Sequence, residues 1–86
     1  IWLMTDECYC RFLYDSEPFS IAAQPGAKDT VIVAGSLSKT YAMTGWRIGF
    51  TANRQLAPVF TRWITNTESC ATQISQWAAV QALNGP

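Results

Sequence analysis

Lys39 lies in the run Ser36-Leu37-Ser38-Lys39-Thr40-Tyr41-Ala42-Met43-Thr44-Gly45-Trp46-Arg47-Ile48-Gly49. Two hydroxyl residues, Ser36 and Ser38, precede the lysine, and Arg47 follows between two glycines. A lysine amine is a nucleophile that forms a Schiff base with a carbonyl. Hydroxyls and a guanidinium bind phosphate oxygens through charge-assisted hydrogen bonds. Together they suit an aldehyde that carries a phosphate, and pyridoxal phosphate has both groups. The other lysine, Lys28, sits beside Asp29 in a polar stretch and reads as a solvated surface residue. The serines have an ordinary alternative, local backbone hydrogen bonds in a turn. Arg47 has one too, as a salt-bridge partner for Asp6 or Glu7. A bidentate grip on phosphate is the reading that specifically needs arginine rather than lysine.

A second constellation is Asp6-Glu7-Cys8-Tyr9. An aspartate beside a pyridine nitrogen keeps that nitrogen protonated, and the protonated ring then accepts electrons from a substrate carbanion. A tyrosine three residues on has the right hydroxyl to bond the ring's phenolate oxygen. Glu7 reads as a solvated or structural charge.

These residues need a scaffold that brings strand ends together. Ile1 to Thr5 is a short apolar run that reads as a buried strand. Residues 15–29 hold Pro18, Pro25 and Gly26 and read as a loop with one helical turn. Thr30 to Ala34 is β-branched and reads as a second buried strand. Gly35 to Thr44 is the lysine loop, and Trp46 to Ala52 reads as a third strand. Leu56, Val59, Phe60, Trp63 and Ile64 then recur at helical spacing. Pro58 is compatible with that helix only in its first turn. A polar break follows over residues 65–70. A second helix spans residues 72–83, with Ile74, Trp77 and Ala78 on one face and Gly85 as a stop. Trp63 and Trp77 read as core. Three strands followed by two helices suggest part of an α/β sheet. In open α/β sheets ligands sit at the carboxyl ends of the strands. Asp6 and Lys39 both fall just past such ends.

Bulk properties bound the alternatives. The 86 residues are 49% hydrophobic, and six acidic residues balance six basic ones. That balance points to neither nucleic acid nor a charged membrane surface. No apolar run approaches the roughly 18–20 residues of a membrane span. With no histidine, Ser-His and Cys-His catalysis within this chain is excluded. The three cysteines lack metal-ligand spacing, so no metal site is expected; reduced, mostly buried thiols in a cytoplasmic protein are. The apolar start and the Asn84-Gly85-Pro86 end read as those of an internal piece of a longer protein.

With both constellations in view, the chain resembles the fold-type I pyridoxal-phosphate enzymes, specifically the class I/II aminotransferases and their aspartate aminotransferase-like members. The Ser-Leu-Ser-Lys-Thr-Tyr-Ala-Met-Thr-Gly-Trp-Arg-Ile-Gly run is similar to the family's lysine signature, and Asp-Glu-Cys-Tyr to its pyridine-nitrogen motif. Gln76-Trp77-Ala78-Ala79-Val80-Gln81-Ala82-Leu83 also resembles the family. The resemblance implies that residues 1–86 are a segment of the cofactor-binding large domain: an α/β fold, a partial three-layer sandwich with a mostly parallel sheet, its third strand open to antiparallel pairing, and flanking helices. It implies that Lys39 is the Schiff-base lysine and shuttles a proton, and that Asp6 pairs with the pyridinium nitrogen. Tyr9 would bond the phenolate oxygen. Ser36 and Arg47 would grip the phosphate, with Ser38 as a further candidate. Amino acids and 2-oxo acids are the implied substrates and a homodimer the implied assembly. The substrate-carboxylate arginine, the ring-stacking aromatic and the upstream phosphate loop of the family have no counterpart here, so the segment alone is expected to be inactive. Rival readings are a C–S lyase or decarboxylase on the same scaffold, an aminotransferase-like domain of a transcription regulator, or a truncated product.

Overall fold

The computed structural model describes residues 1–85. Strand β1 (Leu3–Asp6) and strand β2 (Val31–Ser36) are joined by a crossover that holds two 3-10 turns, Ile21–Ala23 and Ala27–Asp29. Parallel strands require a long connection, and this one runs from residue 7 to residue 30. The pair is parallel, with Leu3 opposite Val31 and Asp6 opposite Ala34. A single helical turn, α1 (Leu37–Thr40), follows β2 directly. A 3-10 turn, Thr44–Trp46, then leads to strand β3 (Gly49–Ala52), which runs antiparallel to β2 with Gly49 opposite Ser36. Helices α2 (Ala57–Thr67) and α3 (Gln73–Asn84) complete the described chain. The fold is therefore the expected α/β arrangement, and the third strand takes the antiparallel option. No helix among the described residues is long and apolar enough to cross a membrane.

Two glycines allow β2 and β3 to meet where they do. The Phe50 ring covers Gly35, where a Cβ would run into it. A Cβ on Gly49 would sit 2.9 Å from the Gly35 carbonyl oxygen, closer than backbone can yield without shifting.

The small core lies beyond the sheet's carboxyl end. Leu37, Met43 and Ile48 pack against Ala79, with Ala78 and Ala82 alongside. Several sequence expectations change here. The first strand is not buried: Leu3 and Met4 are exposed on an edge strand. The third strand starts at Gly49 rather than Trp46, because Arg47 adopts a left-handed conformation that ends the preceding turn. The lysine run is not a loop throughout: Gly35 and Ser36 finish β2, and Lys39 rides on α1. Pro58 does fall in the first turn of α2. Leu56 only caps that helix, which buries none of its residues. Trp63 and Trp77 are 67% and 64% exposed rather than core. In α3 the small side chains face the core, because only they let the helix approach Leu37 and Met43, while Ile74 points away. The cysteines also differ from expectation: Cys8 and Cys10 are half-buried and Cys70 is exposed.

Asn53 is the buried polar residue that ties these elements together. Its Nδ2 donates to the carbonyls of Lys28 (3.3 Å) and Val31 (2.9 Å). Its Oδ1 accepts from the amides of Gln55 and Leu56, both at 2.9 Å. One side chain thus joins the start of β2, the end of β3 and the entry to α2, with both donors and its acceptor in use. In the protein that carries this segment, Asn53→Ala should lower unfolding stability by about 2–3 kcal/mol, from lost and unsatisfied hydrogen bonds. Asn53→Asp should cost at least as much, since a carboxylate would face two carbonyl oxygens. Chemical denaturation checks both. Ala42 sits at φ 53°, where a Cβ is strained. Ala42→Gly should raise stability by roughly 0.5–1 kcal/mol in the same assay.

Candidate functional site

The parallel pairing places the end of β1 beside the end of β2. Asp6 lies opposite Ala34, and the Glu7 amide extends the ladder with a 2.8 Å bond to the Ala34 carbonyl. Beyond Asp6 the chain folds into consecutive turns, with Cys10 N–H donating to the Glu7 carbonyl and Phe12 N–H to the Tyr9 carbonyl. These turns bring Tyr9 back toward α1, where Lys39 Nζ lies 5.7 Å from the centre of the Tyr9 ring. Asp6 Oδ1 accepts from the Cys8 amide at 3.0 Å. Glu7 accepts from the Ser20 hydroxyl at 2.6 Å, which is the structural role expected of it. Asp6 and Tyr9 line a cavity of about 340 Å³ together with Thr5, Cys10, Phe19 and Ile21.

Cys8, bonded to Asp6 through its amide, feels the charges of both Asp6 and Lys39, and its sequence spacing does not mark it. Its thiol is pushed above the ordinary cysteine range. Desolvation is the main cause, with the hydrogen bond and negative charge of Asp6 adding to it and the Lys39 charge opposing it. The signal that it belongs to the site is position alone, between Asp6 and Tyr9 in the sequence.

Residues on either side of Lys39 in the run form a separate cluster. Ser36 caps α1: its Oγ accepts from the Ser38 amide at 3.0 Å and donates to the Ile48 carbonyl at 3.2 Å. Ser38 is buried, and its carbonyl accepts from the Thr44 hydroxyl at 3.1 Å. Arg47 Nη1 in turn donates to the Thr44 carbonyl at 2.8 Å. Arg47 stands at φ 55° and ψ 50°. A left-handed non-glycine residue costs roughly 1–3 kcal/mol and is found where surrounding structure fixes it. With one of its five N–H donors on Thr44, the guanidinium keeps the others for an anion. Arg47 lines a cavity of about 610 Å³ with Gly35, Gly49 and Thr51 on the sheet side and Glu68 and Thr72 on the helix side.

Asp6, Tyr9 and Lys39 therefore converge at one sheet edge. Ser36, Ser38 and Arg47 form a second group, joined to the first through the single turn that carries Lys39. The donor types fit a phosphorylated pyridine aldehyde: an acid, a phenol, an amine, hydroxyls and a guanidinium. In this conformation the Ser36 hydroxyl proton points to Ile48, so gripping phosphate requires that hydroxyl to turn.

Residues 1–86 match the family described as aminotransferase class I and II over their whole length. The chain belongs to this family. It is 42% identical to an aspartate aminotransferase of Rhizobium meliloti (strain 1021), over all of this chain and 22% of that protein. Among solved structures it is similar to the aspartate aminotransferase from Rhizobium meliloti, with TM-score 0.88 and 41% identity over 99% of this chain and 22% of the other. It is also similar to an aromatic aminotransferase from Pyrococcus horikoshii OT3, with TM-score 0.92 and 33% identity over 99% and 23%. The chain thus spans about a fifth of the length of the aminotransferases it matches, and its α/β fold is that of fold-type I members of the family.

The surroundings of Cys8 make the convergence measurable without any ligand. Asp6→Asn removes the charge and the ionised hydrogen-bond partner that hold the thiol up, so iodoacetamide should alkylate Cys8 faster at pH 8. Removing the Lys39 charge with Lys39→Met should slow it. Exposed Cys70 provides the reference rate. Equal Cys8 rates in all three proteins would show that the three groups do not meet.

Proposed function

We propose that the protein carrying this segment is a pyridoxal-phosphate-dependent aminotransferase, which moves an amino group from an amino acid to a 2-oxo acid. Residues 1–86 are a segment of its cofactor-binding large domain. The observation that carries the proposal is the parallel strand pair that brings Asp6, Tyr9 and Lys39 to one edge. Membership of the aminotransferase family supports it. When bound, the cofactor supplies an aldehyde for the lysine and a protonated ring that draws electrons from the substrate's Cα.

Lys39 would form the Schiff base, and its Nζ, when free, would take the proton from the substrate Cα and pass it to the carbon that the cofactor's aldehyde supplies. The Asp6 carboxylate holds the proton on the pyridine nitrogen. The Tyr9 hydroxyl donates to the ring oxygen beside the aldehyde. Ser36, Ser38 and Arg47 hold the phosphate, Arg47 through paired charge-assisted bonds that a lysine would not reproduce. By the same resemblance we propose a cytoplasmic homodimer. Substrate recognition and the rest of the cofactor site lie on portions of the protein beyond this segment.

An amino-group transfer assay on the full protein tests the reaction type. New amino acid formed from a 2-oxo acid is the expected product. Stoichiometric release of ammonia and pyruvate, or of CO₂, would instead make it a lyase or a decarboxylase. Lys39→Ala should lower kcat at least 10²–10⁴-fold, the contribution of a positioned proton-transfer group alone. Arg47→Lys should weaken cofactor affinity roughly 10–100-fold, equivalent to about 1.5–3 kcal/mol of charged hydrogen bonding. The 86-residue chain by itself should show no turnover, and measurable turnover by it would contradict the assignment of the remaining site to other segments.

A further inference from the structure

We infer that Tyr9 has a second role, as the positioning residue that holds the Lys39 ammonium against the face of its ring. The inference rests on Lys39 being the reactive amine and adds a task to Tyr9 that is separate from its hydroxyl. Lys39 Nζ lies over the ring at 5.7 Å from its centroid, inside the roughly 6 Å within which a cation is attracted by an aromatic quadrupole. Local structure holds both partners. The backbone turns on either side of Tyr9 are closed by the Cys10-to-Glu7 and Phe12-to-Tyr9 hydrogen bonds. Phe12 then meets the ring edge-on, at 6.0 Å between centroids and 76° between planes, a favoured aromatic geometry. Lys39 is half-buried on a turn whose backbone is pinned at Ser36. A long, flexible side chain therefore meets a ring, 59% exposed, that stands on a closed turn and against Phe12, and the ring face offers the amine a resting place.

A ring face attracts the Nζ charge and holds the side chain against it. Removing it should expose Lys39 to electrophiles, while removing only the hydroxyl should not. The test is reductive methylation with formaldehyde and cyanoborohydride on the full protein after dialysis against hydroxylamine, which releases any aldehyde held on a lysine, and then against buffer, followed by peptide mapping. Lys28 is the internal reference. The Lys39-to-Lys28 labelling ratio should rise about two- to fivefold in Tyr9→Leu, which keeps apolar bulk but has no π face. In Tyr9→Phe the ratio should match the unsubstituted protein, even though that variant loses the hydroxyl assigned to the ring oxygen. An unchanged ratio in Tyr9→Leu would overturn the inference, as would a rise in Tyr9→Phe equal to that in Tyr9→Leu. The probe has neither ring nor phosphate. A protein that ignored pyridoxal phosphate would therefore still report on the ring contact, and the two readings can fail separately.

Discussion

The parallel pairing of β1 with β2 is the constraint on which the site depends. Parallel strands finish at the same end of a sheet, so two segments separated by a 24-residue crossover bring their candidate residues to one place. Asp6 ends one strand, and Lys39 stands on the turn that ends the other. A slip of one residue in this register would turn every side chain of β1 to the opposite face. The Glu7-to-Ala34 bond, one step past the last paired residues, extends the register to the point where the chemistry begins.

The lysine turn is held from the opposite side by β3. Its antiparallel pairing with β2 places Gly49 against Ser36, and Ile48 supplies the carbonyl that the Ser36 hydroxyl contacts. Two glycines permit the approach, and Arg47 takes up the left-handed conformation that the tight return to β3 requires. Thr44 fastens both ends of this return, through its hydroxyl to Ser38 and its carbonyl to Arg47. The candidate phosphate ligands are thus also structural parts of the turn. Arg47 and Ser36 each make a backbone contact that shapes the place in which they would act.

What the sequence revealed follows from which physical signals are local. The lysine run and the acid–tyrosine pair were legible because residue types and offsets carry the chemistry directly. The β-branched stretch from Thr30 and the helical periodicity after Leu56 located β2 and α2 to within a few residues. Burial was misread where it depends on what lies opposite. Periodicity marks Trp63 and Trp77 as parts of apolar faces, but it does not say what covers those faces. Large exposed apolar surfaces of this kind mark interaction regions, and the segment spans only about a fifth of its relatives. Asn53 went unnoticed because an asparagine before a helix looks like an ordinary turn residue; its long-range bonds to Lys28 and Val31 exist only in the folded chain. Cys8 reads like the other thiols because nothing in its spacing shows that the charges of an acid and an amine both reach it.

The central claim is that Lys39 is the amine that captures pyridoxal phosphate. The most direct measurement is borohydride reduction of the full protein with that cofactor, followed by peptide mapping. Reduction confined to Lys39, with Lys28 unlabelled, is the expected result. Label spread equally over both lysines, or absent from Lys39, would contradict the account and leave the family scaffold without its proposed chemistry.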